Sequence, residues 1–238
     1  MYNNANISLG NTLAQFFDCV TKNYIATDQS AFFQAITSIF YNKPNTNILS
    51  FALDDKTTAL IINRLKENLR NKRSDLLNLF NAPLTYLLDE LICNIQQHAQ
   101  TDTGYAYLDY DKNTDSVEII IADFGITIYG SYVAMQKHLD KLGDSDAEAL
   151  NLVQNGYSVK NRPNAENRGY GIPSNMKMVA EGLHGEFAVF SGNALLLQTI
   201  ANRKILSLPA EIDFKGTMIM VRIPADVPNT FNMYDYIS

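Results

Sequence analysis

The sequence predicts an α+β fold, and three observations predict it. Long stretches carry apolar residues at helical spacing: Leu60, Ile61, Leu65, Leu69, Leu76 and Leu77, then Leu87, Leu88, Leu91, Ile92 and Ile95. Short alternating or β-branched runs, at 105–110, 117–122, 186–191, 194–200 and 217–223, are bounded by Asp, Asn, Gly and Pro. The composition, 46% apolar and 18% charged over 238 residues, supports a sizeable core and argues against global disorder.

Taken in order, the first segment has two apolar-periodic stretches. Leu13, Phe16, Phe17 and Val20 form one; Phe32, Phe33, Ile36, Ile39 and Phe40 form the other, with Asp28 or Ser30 as its cap and Lys43-Pro44-Asn45 as its end. Residues 47–53 alternate loosely and read as a short strand. Residues 56–80 read as a helix whose basic run from Arg64 to Arg73 is most simply a solvated face. Pro83 suits the first turn of the next helix, which Asp102-Thr103-Gly104 ends. A hairpin over 105–122 leads to Asp123-Phe124-Gly125. A long polar connection follows, at about 127–168, with helical pieces at 132–142 and 147–154. Connections of this length in a compact domain are usually functional covers or unstructured. Gly169-Tyr170-Gly171 then precedes a helix at 174–181, and the last three strands follow.

The net charge of −6 argues against a broad nucleic-acid surface, which needs a basic face. Cys19 and Cys93 sit in apolar surroundings and read as buried thiols of a reducing compartment. No signal peptide opens the chain and no run of about 20 apolar residues occurs, so a cytoplasmic protein without a membrane span is expected.

Within Asp89-Glu90-Leu91-Ile92-Cys93-Asn94-Ile95-Gln96-Gln97-His98, the residues Glu90, Asn94 and His98 recur every four positions. On a helix they form one polar stripe. A carboxylate beside an amide oxygen suits Mg²⁺ and an oriented water. With three histidines, His98, His138 and His184, widely spaced, the usual metal cluster is not indicated, and His98 reads as a supporting residue. Asp123 at a strand end suits acceptance of a hydrogen bond from an exocyclic amine, and Gly125 allows close approach to a flat ring; Asp-x-Gly is also an ordinary turn. Gly169-Tyr170-Gly171 before a helix offers backbone N–H groups to a phosphate, or is only a tight turn. Gly216-Thr217 opens the final strand. Lys160 could reach a terminal phosphate from the long connection, or be a solvated loop lysine.

The order of these motifs resembles the GHKL superfamily, the ATP-binding domains of gyrase B, chaperone, histidine kinase and MutL type. The stripe helix is similar to its N box, Asp123-Phe124-Gly125 to its first glycine box, and Arg168-Gly169-Tyr170-Gly171-Ile172 to its second. The stretch 182–192 resembles the strand pair after the lid, and Gly216-Thr217 with Ile223-Pro224 the final motif. The match covers about residues 81–226. It implies Glu90 as general base, Asn94 as the Mg²⁺ ligand, and Asp123 with Thr217 at the adenine amine. It further implies Gly125 beside the base, Gly169, Tyr170 and Gly171 at the phosphates, and Lys160 as a lid cation. Two positions depart from the family pattern: Thr127 stands where a second glycine is usual, and Ile95 where Ala often follows the Asn.

No histidine precedes His98, which disfavours a self-contained sensor kinase, and the chain stops at Ser238, which disfavours a complete topoisomerase or mismatch-repair protein. The resemblance therefore points to a stand-alone regulator of the anti-sigma-factor or serine-kinase type. The expected organisation is a mostly helical N-terminal segment, 1–80, and a histidine kinase-like ATP-binding domain, 81–238, with its lid at about 127–168. The fold expected is a two-layer α/β sandwich of the Bergerat type, with a mixed, mainly antiparallel sheet carrying helices on one face. Three functions are kept: an Mg²⁺-ATP-dependent regulatory ATPase or serine/threonine-type protein kinase, a nucleotide-responsive protein-binding module with little or no catalysis, and a non-nucleotide interaction domain. A protein partner is expected at the N-terminal segment or the lid. Membrane and nucleic acid are not expected, and the oligomeric state stays open.

Overall fold

Side chains alternate between the two faces of a sheet along each strand, and seven strands form one sheet here. The computed structural model describes residues 48–54, 56–159, 171–210 and 212–236. The two helices expected before residue 43, and Cys19, lie outside the described residues. The strands are β1 (Leu49–Ala52), β2 (Thr103–Asp111), β3 (Ser116–Asp123), β4 (Glu186–Gly192), β5 (Ala194–Gln198), β6 (Arg203–Ser207) and β7 (Phe214–Pro224). They lie in the order β1-β2-β3-β7-β4-β5-β6. Every pairing is antiparallel, so the expected mainly antiparallel sheet carries no parallel pair among the described strands. The edge strand β6 was not expected; only Ile205 and Leu206 are apolar within it, which is too short a run to read as a strand.

The helices are α1 (Thr57–His98), α2 (Ile128–Met135), α3 (Asp146–Gln154) and α4 (Gly171–Lys177), which runs on into a π-helical turn, Met178–Gly182. The backbone of α1 leaves helical geometry at Arg73 and Phe80. The second break lies just before Pro83, whose missing N–H is tolerated only in a first turn. The two arms fold back on each other: Gln96 Nε2 donates to Thr58 Oγ1 at 2.7 Å and Lys66 Nζ to Thr85 Oγ1 at 2.9 Å. The basic run is largely engaged with the protein itself. Lys72 pairs with Asp109 at 2.6 Å, and Arg73 reaches Asp75 and Asp115 while lying over the Tyr110 ring.

One apolar cluster joins both arms of α1 to the inner face of the sheet. Leu65, Leu69, Leu76 and Phe80 belong to it together with Leu87, Leu91, Ile119, Val189 and Val221. Residues 48–80 thus supply an edge strand and the first arm of α1 to this packing. Each buried Leu or Ile here contributes about 1.5–3 kcal/mol. The other face carries Ile120, Ala122, Phe190, Met218 and Met220, also buried, with Leu208, Ile212 and Phe214 packed on them. Helix α2 ends earlier than the 132–142 pattern suggests, because Gln136 turns left-handed at φ 50°. Among the described residues no helix is long and apolar enough to cross a membrane.

Three acidic side chains, Asp109, Glu118 and Asp123, are buried among the described strands. Glu118 on β3 lies opposite Asp109 on β2 and Arg222 on β7, and it is 2% exposed. Arg222 donates to Glu186 at 2.6 Å, and Glu118 Oε1 has no hydrogen-bond partner among the described residues. Burial, with the charges of Asp111 and Asp109 against the opposing Arg222, pushes its carboxyl up to about 7. The folded pKa thus exceeds the unfolded one, so its contribution to stability is full below pH 4.5 and is lost as pH rises through about 7. Glu118→Gln is expected to be more stable than the wild type at pH 8 by up to about 3 kcal/mol, with the gap closing towards pH 4.5. Urea unfolding at pH 5 and pH 8 checks this; equal stabilities at pH 8 would remove the burial penalty from Glu118.

Candidate functional site

Antiparallel register places three polar side chains side by side at one end of the inner sheet face. Asp123 ends β3, Thr217 opposes it on β7, and Ser191 on β4 opposes Thr217. They continue the rows that, further along, hold Ile121, Ile219 and Val189, so they face the helical layer. Asp123 is 2% exposed, and Thr217 is half-buried. Asp123 Oδ1 accepts the Gly125 N–H at 2.9 Å. Burial pushes the Asp123 carboxyl up to about 6, while the N–H groups of Gly125 and Thr217 oppose the rise.

Two glycines are required here by contact. A Cβ on Gly125 would sit 1.7 Å from the carbonyl oxygen of Ala99, the residue closing α1, and Ile126 N donates to that oxygen at 2.7 Å. Gly216 has φ +120° and its Cβ would stand 2.2 Å from the Asp123 carbonyl oxygen. Thr127, where the family pattern has glycine, caps α2: its Oγ1 accepts the Gly130 N–H at 3.1 Å.

The stripe of α1 meets the start of α4. A Cβ built on Gly171 would lie 3.3 Å from Asn94 Nδ2, 3.5 Å from Asn94 Oδ1 and 3.5 Å from Glu90 Oε2. Glu90 also bears on Tyr86, one turn earlier, whose hydroxyl is raised by burial and then by that negative charge. Asn94 Nδ2 is buried with no hydrogen-bond partner among the described residues, which leaves a donor to be satisfied at this position. Ile95, where the pattern has Ala, is a core residue. His98 contributes its carbonyl, which accepts from Ser131 Oγ at 3.1 Å and ties α1 to α2.

The structure therefore brings Glu90, Asn94 and Gly171 together, and separately Asp123, Gly125 and Thr217. The carboxyl end of α1 links the two groups through Ala99 and Gly125. Lys160, Gly169 and Tyr170 lie outside the described residues. Among the described residues no group of three or more His, Cys, Asp or Glu is placed to hold a metal ion. The side-chain oxygens nearest a Cβ built on Gly171 are those of Asn94 and Glu90.

Two residues of the site are not singled out by the sequence. Asn175 is fully buried on α4 and donates to the Gly171 carbonyl at 3.0 Å, and beside Ser174 in this short helix it carries no distinguishing signal. Ser191 is next to last in β4 and carries no pattern at all.

Much of the long connection is anchored. Tyr132 Oη donates to the Tyr157 carbonyl at 2.5 Å, and the His138 ring nitrogen lies 3.0 Å from the Ser158 carbonyl. Tyr132, Ala149, Leu152 and Val159 form a small core of their own. Helix α3 buries Leu150 in the main core and accepts the Asn193 N–H on Asp146 Oδ2 at 3.2 Å. Residues 128–159 accordingly form part of the helical layer. No family model matches the chain, and no curated protein matches it.

Proposed function

We propose that the chain binds Mg²⁺-ATP between α1, α4 and the Asp123 end of the sheet, as a GHKL-type domain acting as a regulatory ATPase or serine/threonine-type protein kinase. The observation that carries the reading is a coincidence of placement. Residues far apart in sequence, Asp123 with Thr217 and Glu90 with Gly171, meet in two polar groups joined by the end of one helix.

In this reading Asp123, ionised at neutral pH, accepts a hydrogen bond from the adenine amine, with Thr217 beside it. Gly125 keeps the backbone close to the ring. The start of α4 at Gly171, with Gly169 and Tyr170 before it, offers N–H groups to the phosphates. Asn94 supplies a carbamoyl oxygen to Mg²⁺, and its orphaned Nδ2 fits a site whose polar partners arrive with the ligand. Magnesium, when bound, would neutralise phosphate charge, and it keeps several waters, so a single protein ligand suffices. Glu90 accepts a proton from, or orients, the attacking water or hydroxyl.

Thermal unfolding with and without Mg²⁺-ATP tests the reading. At a hundredfold excess over Kd, binding adds about 2.7 kcal/mol, or about 5–10 °C in Tm for a domain of this size. No shift with either ATP or a non-hydrolysable analogue sinks it. The nucleotide-responsive module without catalysis is separated from the enzyme by Glu90→Gln, taken up below.

A further inference from the structure

Ser191 makes contacts that leave no freedom in its hydroxyl. Its oxygen accepts the Ile128 N–H at 2.9 Å, lies 2.9 Å from the Gly216 carbonyl oxygen and 3.2 Å from Thr217 Oγ1. A hydroxyl has one proton and two lone pairs. A carbonyl oxygen can only accept, so the Ser191 proton goes to Gly216. The contact with Thr217 is then a bond only if Thr217 donates its own proton to Ser191. With that proton committed, Thr217 Oγ1 can only accept from any further partner. Asp123, its register partner, is also an acceptor when ionised.

We propose that Ser191 is a positioning residue that sets Thr217 as a hydrogen-bond acceptor, so that the floor of the site selects a purine bearing a 6-amino group over one bearing a 6-keto group. The inference rests on the nucleotide reading above. A 6-amino edge brings N–H donors to two acceptors. A 6-keto oxygen would meet both acceptors with no proton between, and an unsatisfied pair of this kind costs roughly tenfold or more in affinity. Removing the Ser191 oxygen frees the Thr217 hydroxyl to rotate and donate to a keto oxygen. Because Ser191 also holds Ile128 at the start of α2, the same residue ties the base floor to the connection that follows.

The test measures the ratio of ITP to ATP dissociation constants, with Mg²⁺, for wild type, Ser191→Ala, Thr217→Val and the double variant, each checked for cooperative unfolding. Expected are a wild-type preference for ATP, a drop of about tenfold in that preference for Ser191→Ala, and no further drop when Ser191→Ala is added to Thr217→Val. General loosening would weaken both nucleotides alike and leave the ratio unchanged. If Ser191→Ala does not fold, Ser191→Cys, with its weaker donor, is expected to lower the preference partway. An unchanged ratio in the serine variant that folds, or an additive effect in the double variant, overturns the assignment to Ser191. A wild type that binds neither nucleotide overturns the nucleotide reading instead.

Discussion

Asp123→Asn is expected to abolish the thermal shift with Mg²⁺-ATP while making the ligand-free protein more stable at pH 8. The two effects have opposite signs and one cause. Asp123 is buried, and its carboxyl is pushed up to about 6 against an ordinary 3.8. A raised acid contributes full stability below its unfolded pKa and loses it as pH rises through the folded one, so at pH 8 the ionised group is a net cost. An amide of the same shape keeps an oxygen for the Gly125 N–H and removes that cost, up to about 3 kcal/mol. Towards the ligand the amide is worse. It has lost the charge, and its NH₂ faces another amine. The loss of a charged hydrogen bond together with the donor–donor contact is worth about 10²-fold in affinity. Melting curves at pH 8, with and without nucleotide, read both effects. A variant that still responds to Mg²⁺-ATP shows that Asp123 is not at the base; one that is less stable without ligand shows that its charge is compensated in the fold.

Glu90→Gln is expected to leave Mg²⁺-ATP binding within a few-fold of wild type and to lower phosphate release by about 10²-fold or more. Glutamine preserves the volume beside Gly171 and the packing near Tyr86, but it cannot take a proton. A loss confined to turnover, with Kd unchanged, identifies a positioned base. Equal slow release from both proteins assigns the chain to nucleotide-responsive binding without catalysis. A gain of phosphate on an added protein, in place of free phosphate, assigns it to kinase chemistry.

The stripe Glu90–Asn94 was legible because a helix converts sequence spacing directly into proximity; period and apolar flanks sufficed. The α+β class and the mainly antiparallel sheet were legible for the same local reason, since hairpins such as β2–β3 pair within a few residues. Asp123 beside Thr217 could be linked only through a resemblance, because register across distant strands leaves no mark in either strand alone. Ser191 was invisible: its value comes from a three-way contact that exists only after β4 and β7 pair. Pro83 marks a break in the backbone that the sequence shows, whereas the apolar cluster that runs past it forms only in the folded chain. The role of Thr127 comes from local geometry, its bond to Gly130 at the start of α2.

The hairpin β2–β3 joins near neighbours in the chain, whereas β7 pairs with β3 across a long intervening stretch. Chain closure of that kind costs more entropy and comes late in folding. The row of Asp123, Thr217 and Ser191 exists only once β7 has paired with β3 and β4, so chains that lack those pairings lack the row. Occupancy of the row would then reward the completed molecule and no intermediate before it. A nucleotide bound there would stabilise the fold globally, slowing exchange of the central β3 and β7 amides as strongly as it raises the melting temperature.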